Sequence, residues 1–338
     1  MAVSFYETGA CADLDDFFTK LSTFATSASI DAAYRFTAGA SNGSAGTAVN
    51  TAGDASGTTY AYKRFSMTRG GYYWLARYHT TGGVYCMVAP NDASAVWNST
   101  TGKPSYDYQI RPAPAAGTYY FHQYKYSIHA ICKLASGVHV HLNFGTLDKV
   151  GSWTGGEFFT GSYHEYTANV NGSPTNGTHC FMFHNAADFR LVSQQTVPSM
   201  RCVYNSKNFA ALDVSYDAVP SNYNLVCGVG VLSHYATSAA TAGATPNVIS
   251  GYGPNSYAPY RSPGVPIEYQ LYANAGDSLW YDLGTVEGAR FVNISAEDAG
   301  DVIDTNWVVY PLSIKGNTGS VGNYASSANY GIAYYKAP

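Results

Sequence analysis

Residues 119–144 read YYFHQYKYSIHAICKLASGVHVHLNF, and this stretch decides the fold. Aromatic and β-branched residues dominate it, which is typical of strands that pack on at least one face. The small residues Ala135-Ser136-Gly137 interrupt it near the end, as a turn does. We therefore predict one strand over Tyr119–Leu134 and a second over Val138–Phe144, joined by that turn.

Short runs of the same composition continue in both directions along the chain. Glycine pairs at Gly70-Gly71 and Gly82-Gly83 separate three of them, as hairpin turns would. The predicted strands on either side of the deciding stretch are Thr59–Phe65, Tyr72–Tyr78, Val84–Val88, Phe181–Phe183, Phe189–Val192, Met200–Tyr204, Leu225–Leu232, Ile267–Tyr272, Ala289–Ile294, Trp307–Pro311 and Tyr330–Tyr335.

One helix is predicted, over residues 13–27. Asp13 is a suitable N-cap, and acidic side chains follow in the first turn, where the helix dipole favours anions. The apolar residues after it recur at helical spacing and form one stripe, namely Leu14, Phe17, Phe18, Leu21, Phe24 and Ala25. Packing of this stripe on the chain's own sheet is favoured over binding of a partner.

These patterns predict a mainly β protein, made of β-sandwich or barrel-like units with a short N-terminal helix and long Gly/Pro-rich loops. We expect an N-terminal β-rich domain over residues 1–210, with an irregular insertion at 145–177. A C-terminal β-rich domain is expected over residues 211–338. It carries a proline-rich arm at 242–266 and a flexible Gly/Ser/Asn segment at 316–328.

The composition points to extensive protein–protein contact. Charged residues make up 12% of the chain, about half the usual share of roughly 25%, while tyrosine occupies 31 positions. Interfaces are depleted in Lys, Glu and Asp and enriched in Tyr, Trp and Phe. The alternative is a secreted β protein that places Tyr, Ser and Thr on its surface, and composition by itself leaves that alternative open.

Several classes of function are not indicated. The formal net charge is −4 and no run of Lys or Arg occurs, so nucleic-acid binding is not expected. No apolar stretch has the length of a membrane span, and the first residues lack the pattern of a signal peptide, so we expect synthesis in the cytoplasm and no membrane partner. No two of the six cysteines are spaced as CxxC, which favours reduced, buried thiols without a metal. No cofactor is expected.

Histidines offer the one candidate metal site. His139 and His141 lie two residues apart, on the same face of a strand, and such a pair binds a metal when a third ligand such as His179 approaches. His122, His129, Cys180 and His184 are the other candidates for that ligand. Packing and hydrogen bonding along the sheet is the favoured interpretation. No motif of a hydrolase or a phosphate-binding loop occurs, so we do not expect an enzyme.

A few glycine and aromatic phrases together resemble a known family. They are YETG (residues 6–9), HVHLNFG (139–145), GSWTGGEF (151–158), WVVYP (307–311) and NYGIAY (329–334). Together they resemble virion structural proteins that are encoded among the head–tail and tail genes of tailed bacteriophages. In that family the second and fifth phrases often read HLHFG and SGNYGIAYRK, so Asn143 and Tyr335 depart from the pattern. The resemblance implies a place in the virion and no catalytic residues.

The expected function is therefore that of a structural component of a phage neck, tail or baseplate. Its partners would be copies of itself and other phage structural proteins, and the interface candidates are Tyr252, Tyr257, Tyr260 and Tyr324, since tyrosine gives large contact area at low entropic cost. The alternative is a tail module that binds a host receptor or a host-surface glycan through its aromatic residues. A polysaccharide-degrading enzyme is less favoured.

Overall fold

The computed structural model describes residues 4–42, 60–68, 72–78, 84–89, 117–135, 137–149, 158–164, 179–180, 201–206, 209–213, 223–229, 265–273, 279–294, 296–311, 315 and 330–336. These residues are mostly strand, which confirms the mainly β fold class. Among them, no helix has both the length and the apolar character needed to cross a membrane.

The elements follow one another along the chain with a single helix among the described residues. The first are β1 (Ser4–Cys11), α1 (Leu14–Ala25), β2 (Thr37–Asn42), β3 (Tyr60–Ser66), β4 (Tyr72–Tyr78), β5 (Val84–Ala89), β6 (Gly117–Tyr124), β7 (Ser127–Lys133), β8 (His139–Lys149) and β9 (Phe158–His164). The others are β10 (His179–Cys180), β11 (Arg201–Ser206), β12 (Phe209–Asp213), β13 (Tyr223–Val229), β14 (Val265–Ala273), β15 (Leu279–Asn293), β16 (Val302–Ile303), β17 (Trp307–Pro311) and β18 (Tyr330–Tyr335).

A curled antiparallel sheet forms the centre of the molecule. Its main path runs in the order β1-β6-β7-β8-β15-β18-β17-β16. The sheet branches at β8, where His141–Thr146 pair with β9 while Leu147–Lys149 pair with β15. A second antiparallel sheet has the order β2-β3-β4-β5, as the two predicted hairpins require.

The sheet joins strands from both predicted domains. β8 lies before residue 210 and β15 lies after it, and the two are hydrogen-bonded neighbours. This pairing shows that the two halves of the chain share one sheet. The division into domains at residue 210 stays a prediction.

The helix forms where its capping residues predict. The Asp13 side chain accepts a hydrogen bond from the Asp16 backbone N–H at 2.9 Å, and the Asp16 carboxylate accepts one from the Ala12 N–H at 2.9 Å. The first bond satisfies a donor that the first helical turn leaves without an intrahelical partner, and the second ties the residue before the N-cap to that turn. The helix ends at Ala25, two residues before the predicted end, and the predicted N-terminal helix is confirmed.

The main core lies between this helix and one face of strands β1 and β6–β8. Phe17 and Phe24 pack against Phe121, with ring centroids 5.4 Å and 5.3 Å apart. Alternate residues of the three central strands complete the same face, because neighbouring strand residues point to opposite sides. The strand residues on this face include Phe121, Ile128, Ala130, Cys132, Val140, Leu142 and Phe144, all buried.

Two details of the predicted strands are wrong. The stretch Tyr119–Leu134 is not one strand but two, β6 and β7, because the chain turns at Lys125, whose φ is 47°. Lysine carries no sequence signal for a left-handed turn, whereas the predicted turn at Gly137 is present with φ 86°. The segment 145–177 is also not irregular throughout, since β8 continues to Lys149 and β9 occupies Phe158–His164.

Several sequence predictions lie outside the described residues. Phe181–Phe183, Phe189–Val192 and residues 316–328 fall there, as do residues 242–264 of the proline-rich arm. The last two residues of that arm, Val265 and Pro266, belong to β14.

Gly145, the glycine of β8, is expected not to tolerate a side chain. Its φ is 148°, and an added Cβ would overlap the backbone carbonyl of Tyr126 and the Cα of Ser127. Because backbone cannot move aside cheaply, Gly145→Ala should lower the free energy of unfolding by about 3 kcal/mol or more. Urea denaturation followed by circular dichroism measures this.

Gly137→Ala is the matched control for that substitution. Gly137 also has positive φ, but an added Cβ there meets no atom within 4 Å. It should therefore cost only the conformational strain of roughly 1 kcal/mol. Equal losses from the two variants would contradict the steric explanation.

Candidate functional site

The second face of the central strands carries mostly polar side chains, together with the buried Ile131. His139 and His141 lie on β8 and are 3% and 0% exposed, and both point away from the helix. His122 from β6 and His129 from β7 lie on the same face, and both are fully buried. The prediction from the sequence that His139 and His141 lie on one face is confirmed. The sheet brings His122 and His129, which the sequence offered only as candidates for a third metal ligand, to the same face.

Two tyrosines from the end of the chain cover this face. The Tyr334 ring lies 4.9 Å from the His129 ring and 5.9 Å from the His141 ring, measured between centroids. Tyr310 lies 5.5 Å from His122 and 6.4 Å from His139. We refer to the whole group as the histidine–tyrosine cluster, and its members are His122, His129, His139, His141, Asn143, Tyr310 and Tyr334.

β17 and β18 position the two tyrosines by strand alternation. Tyr310 is opposite Ile332 and Tyr334 is opposite Val308 in the β17–β18 register, so both tyrosines point to one side. The other side carries a small apolar core of Val292, Ile294, Ile303, Val309 and Ala333, against which Trp307 packs. The sequence analysis did not identify either tyrosine as a member of this cluster. The alternation of residues in WVVYP and YGIAYY does indicate that Tyr310 and Tyr334 lie on one face of their strands.

Two short chains of hydrogen bonds each reach one backbone carbonyl. His129 Nε2 lies 2.7 Å from the Glu287 carbonyl oxygen, and His129 Nδ1 lies 2.7 Å from Asn143 Oδ1. The Tyr334 hydroxyl lies 2.9 Å from His141 Nδ1, and His141 Nε2 lies 2.8 Å from the Pro311 carbonyl oxygen.

A further chain of hydrogen bonds surrounds His122. Its Nδ1 lies 3.3 Å from the Tyr335 carbonyl oxygen, and its Nε2 lies 3.0 Å from the Tyr310 hydroxyl. The Tyr6 ring on β1 lies 4.7 Å from the His122 ring, measured between centroids. The cluster therefore links the first strand of the chain to the last two.

Burial governs the electrostatics of the cluster. It lowers the pKa of His122 to about 3 and that of His129 to about 4, because a buried imidazolium loses its hydration. The nearby His129 lowers the pKa of His122 further. Burial also raises the pKa of Tyr310 and of Tyr334, so both phenols stay protonated.

An ion pair lies at one edge of the cluster. Lys125 Nζ is 2.7 Å from Glu287 Oε1, and this hydrogen bond raises the pKa of Lys125. The Glu287 side chain is 6% exposed, so the pair is shielded on the carboxylate side. It ties the β6–β7 turn to β15, which carries the Glu287 carbonyl that contacts His129.

The chemistry available to the cluster is that of hydrogen bonding. Both ring nitrogens of His122, His129 and His141 have oxygen partners, which leaves none of these imidazoles arranged as a metal ligand. Among the described residues, no group of three His, Cys, Asp or Glu side chains is close enough to hold a metal ion. The His179 side chain and the interface candidates Tyr252, Tyr257, Tyr260 and Tyr324 lie outside the described residues.

Two cysteines lie on the opposite, helix-covered face. Cys11 and Cys132 are buried free thiols, as expected for these positions. The Cys11 thiol lies 3.0 Å from the Asp13 carbonyl oxygen, to which it donates. They contribute to packing beneath the helix.

Comparison of the sequence with known families and curated proteins identified no relative of the chain. No protein-family model matches the chain, and no curated protein matches its sequence. Assignment of its function therefore depends on the residues and the geometry described above.

His122 should make the fold sensitive to acid. Its pKa is about 3 in the folded chain and 6.5 when unfolded, so the unfolded state binds more protons between these values. The contribution of His122 to the free energy of unfolding is complete above pH 6.5 and decreases as the pH falls toward 3. At pH 5 this residue should cost roughly 2 kcal/mol relative to pH 8. Urea denaturation at both pH values measures the difference.

His122→Gln provides the comparison for this measurement. It removes the titrating group but keeps a polar side chain, so the loss between pH 8 and pH 5 should be smaller by about 2 kcal/mol. Only the pH dependence is compared, because the substitution also changes packing. An identical pH dependence in both proteins would show that His122 does not titrate as described.

Proposed function

We propose that the chain is a structural component of a tailed-bacteriophage virion, in the neck, tail or baseplate, and that it acts through symmetric protein–protein assembly. Its partners are copies of itself and other structural proteins of the same particle. The observation that carries the proposal is where the phrases that resemble the phage family lie in the sheet.

Four of those phrases lie in the strands that surround the histidine–tyrosine cluster. YETG belongs to β1, HVHLNFG to β8, WVVYP to β17, and all but the first residue of NYGIAY to β18. They supply Tyr6, His139, His141, Asn143, Tyr310 and Tyr334. The phrases that carry the resemblance therefore supply residues that pack the first and last strands of the curled sheet against each other, which supports a shared architecture.

The burial and the hydrogen bonding of the cluster residues also favour a structural role. An enzyme needs an imidazole, carboxylate or hydroxyl that is accessible to a substrate, with a pKa suited to proton transfer. The imidazoles of His122, His129 and His141 are instead buried and engaged at both nitrogens. Burial lowers the pKa values of His122 and His129 far below neutrality, which suits a stable interior.

A glycan-binding tail module is the second candidate, and the geometry of one aromatic cluster weighs against it. In Tyr119-Tyr120-Phe121, the outer two residues pack under the helix, with Tyr119 and Phe121 rings stacked at 4.4 Å. Tyr120 points to the other face and lies 4.9 Å from the Tyr310 ring. These rings pack on the protein itself and do not form an open platform for a sugar.

Assembly should depend on the interface candidates Tyr252, Tyr257, Tyr260 and Tyr324. The charge-poor composition leaves few groups to keep a large surface solvated, so the purified chain should form a closed oligomer or enter particles. Tyr257→Ala should reduce incorporation into particles at least tenfold, as an aromatic interface anchor does. Sedimentation velocity of the purified chain and electron cryomicroscopy of the particle measure assembly and position.

Thr23→Ala is the control for that variant, because Thr23 is exposed on the helix surface. Its incorporation should equal that of the wild type. A wild-type chain that remains a monomer and never enters particles would contradict the proposed function.

The segments 242–266 and 316–328 should contact neighbouring subunits. Both are poor in branched aliphatic residues yet carry tyrosines, so they gain order when a partner supplies contacts. Limited proteolysis should cleave them quickly in the free chain and slowly in assembled particles, with the sites identified by mass spectrometry. Equal protection in both states would mean that the segments pack on their own subunit.

A further inference from the structure

The outer side of β1 is an open edge of the main sheet. β1 pairs with β6 along its whole length, from Ser4 opposite Tyr124 to Cys11 opposite Gly117. Among the described residues, no strand pairs with the other side of β1. Such an edge carries backbone N–H and C=O groups to which another strand can bond. It is therefore a surface on which a further strand can be added.

The register of the β6–β7 hairpin shows which residues of β1 turn their backbone groups to this edge. Tyr124 and Ser127 face each other across a two-residue turn, so they form a hydrogen-bonded pair. Such pairs recur at every second residue, so the even-numbered residues of β6 bond to β7 and its odd-numbered residues bond to β1. The odd-numbered residues of β1 lie opposite the odd-numbered residues of β6. The N–H and C=O groups of Tyr6 and Thr8 are therefore directed outward.

Lys20 on the helix agrees with this direction and closes one end of the edge. Its Nζ lies 2.7 Å from the carbonyl oxygen of Ala10, which is also an even-numbered residue of β1. Thr8 is exposed and Tyr6 is half-buried. The accessible part of the edge is therefore the part around Tyr6 and Thr8.

β1 lacks most of the features that keep edge strands apart. It contains no proline and no lysine, and it pairs with β6 without a bulge. Its one charged side chain is Glu7, which accepts a hydrogen bond from the Tyr119 hydroxyl at 2.8 Å. Lys336 Nζ lies over the Tyr6 ring, 4.3 Å from its centroid, and not in line with the strand edge. The edge is therefore suited to pairing.

We propose that β1 pairs with β1 of a second copy of this chain, antiparallel and about a twofold axis, so that one sheet runs through both subunits. In the proposed register, Tyr6 lies opposite Tyr6 of the second copy, and Thr8 lies opposite Ser4 of the second copy. The N–H and C=O groups of the two Tyr6 residues then form two hydrogen bonds on the axis.

Charge and the helix select this register over its neighbours. A shift that places Glu7 opposite Glu7 brings like charges together, which destabilises a cross-strand pair. A shift that centres the pairing on Thr8 brings Ala10 opposite Tyr6, although the Ala10 carbonyl is already bonded to Lys20. Centring on Tyr6 sets Glu7 opposite Phe5 and leaves Ala10 outside the pairs formed by residues 4–8.

The other end of the main path argues for a second β1 as the occupant. That end is β16, which has 2 residues, Val302 and Ile303. Pairing of β1 with β16 of a neighbour would stop after those residues, whereas β1 with β1 pairs every residue from 4 to 8. A twofold contact uses the same surface on both subunits, as this edge does. The inference rests on the proposed symmetric assembly and names one of its contacts.

Cysteine cross-linking of the full-length chain tests the contact and its register. In Tyr6→Cys, the two new thiols face each other across the axis, with Cα atoms about 5.5 Å apart, a separation that a disulfide spans. In Thr8→Cys, the matched control, the two residues lie roughly 14 Å apart along the strands and cannot be joined. Mild oxidation should convert most of Tyr6→Cys into a linked dimer, identified by peptide mass spectrometry, and leave Thr8→Cys like the wild type. A link through residue 8 instead of residue 6, or through neither, would overturn the proposal.

Thr8→Pro gives a second test, with Thr8→Val as its control. Proline removes the outward N–H and places its ring where the second copy must approach, while the hydrogen bonds to β6 remain. Valine keeps the N–H, and both variants lose the hydroxyl bond to the Tyr119 carbonyl at 2.7 Å. In sedimentation velocity, Thr8→Pro should associate at least tenfold more weakly than Thr8→Val, and circular dichroism should show both folded.

The outcomes separate this contact from the proposed function. Equal association of the two variants, or a wild-type chain that is monomeric in solution, would overturn the β1 contact alone. Absence of a monomeric chain from particles as well would also contradict the proposed function. If Thr8→Pro does not fold, the cross-linking result decides.

Discussion

Strand alternation in β6, β7 and β8 is the constraint on which the rest of the structure depends. Neighbouring residues must point to opposite faces, so every buried apolar residue under the helix is followed by a residue that faces the other way. In these strands many of the residues that face away from the helix are histidine or asparagine. Such groups are costly to bury without hydrogen-bond partners. The second face therefore requires a polar cover and cannot pack on another aliphatic layer.

The C-terminal strands supply that cover. Tyr310 and Tyr334 present large rings for packing and hydroxyls for hydrogen bonds, a combination that aliphatic residues lack. Backbone carbonyls of Glu287, Pro311 and Tyr335 accept the remaining imidazole hydrogens. The curled sheet thus has two interiors, an apolar one under the helix and a polar aromatic one between the first and last strands. The apolar interior buries the aliphatic and phenyl side chains of the strands, and the polar aromatic interior provides hydrogen-bond partners for their histidine and asparagine side chains.

This arrangement connects the fold to the proposed virion role. A polar network is specific in geometry, because each donor needs one acceptor at one distance, whereas an aliphatic core tolerates exchange of similar side chains. A subunit of a symmetric assembly must present the same interface in every copy, and a rigid interior helps it to do so. The network also explains why phrases containing histidine, asparagine and tyrosine occur in buried strands.

The sequence by itself determined the fold class, the helix and the approximate position of most described strands, because these follow from local periodicity, capping and turn residues. It also placed His139 and His141 on one face. Only the tertiary structure decided that β6 and β7 are separate strands, that β8 pairs with β15, and that Tyr310 and Tyr334 meet the four histidines. Those contacts join residues more than a hundred positions apart, and their register depends on how the sheet curls. No local pattern encodes such a register.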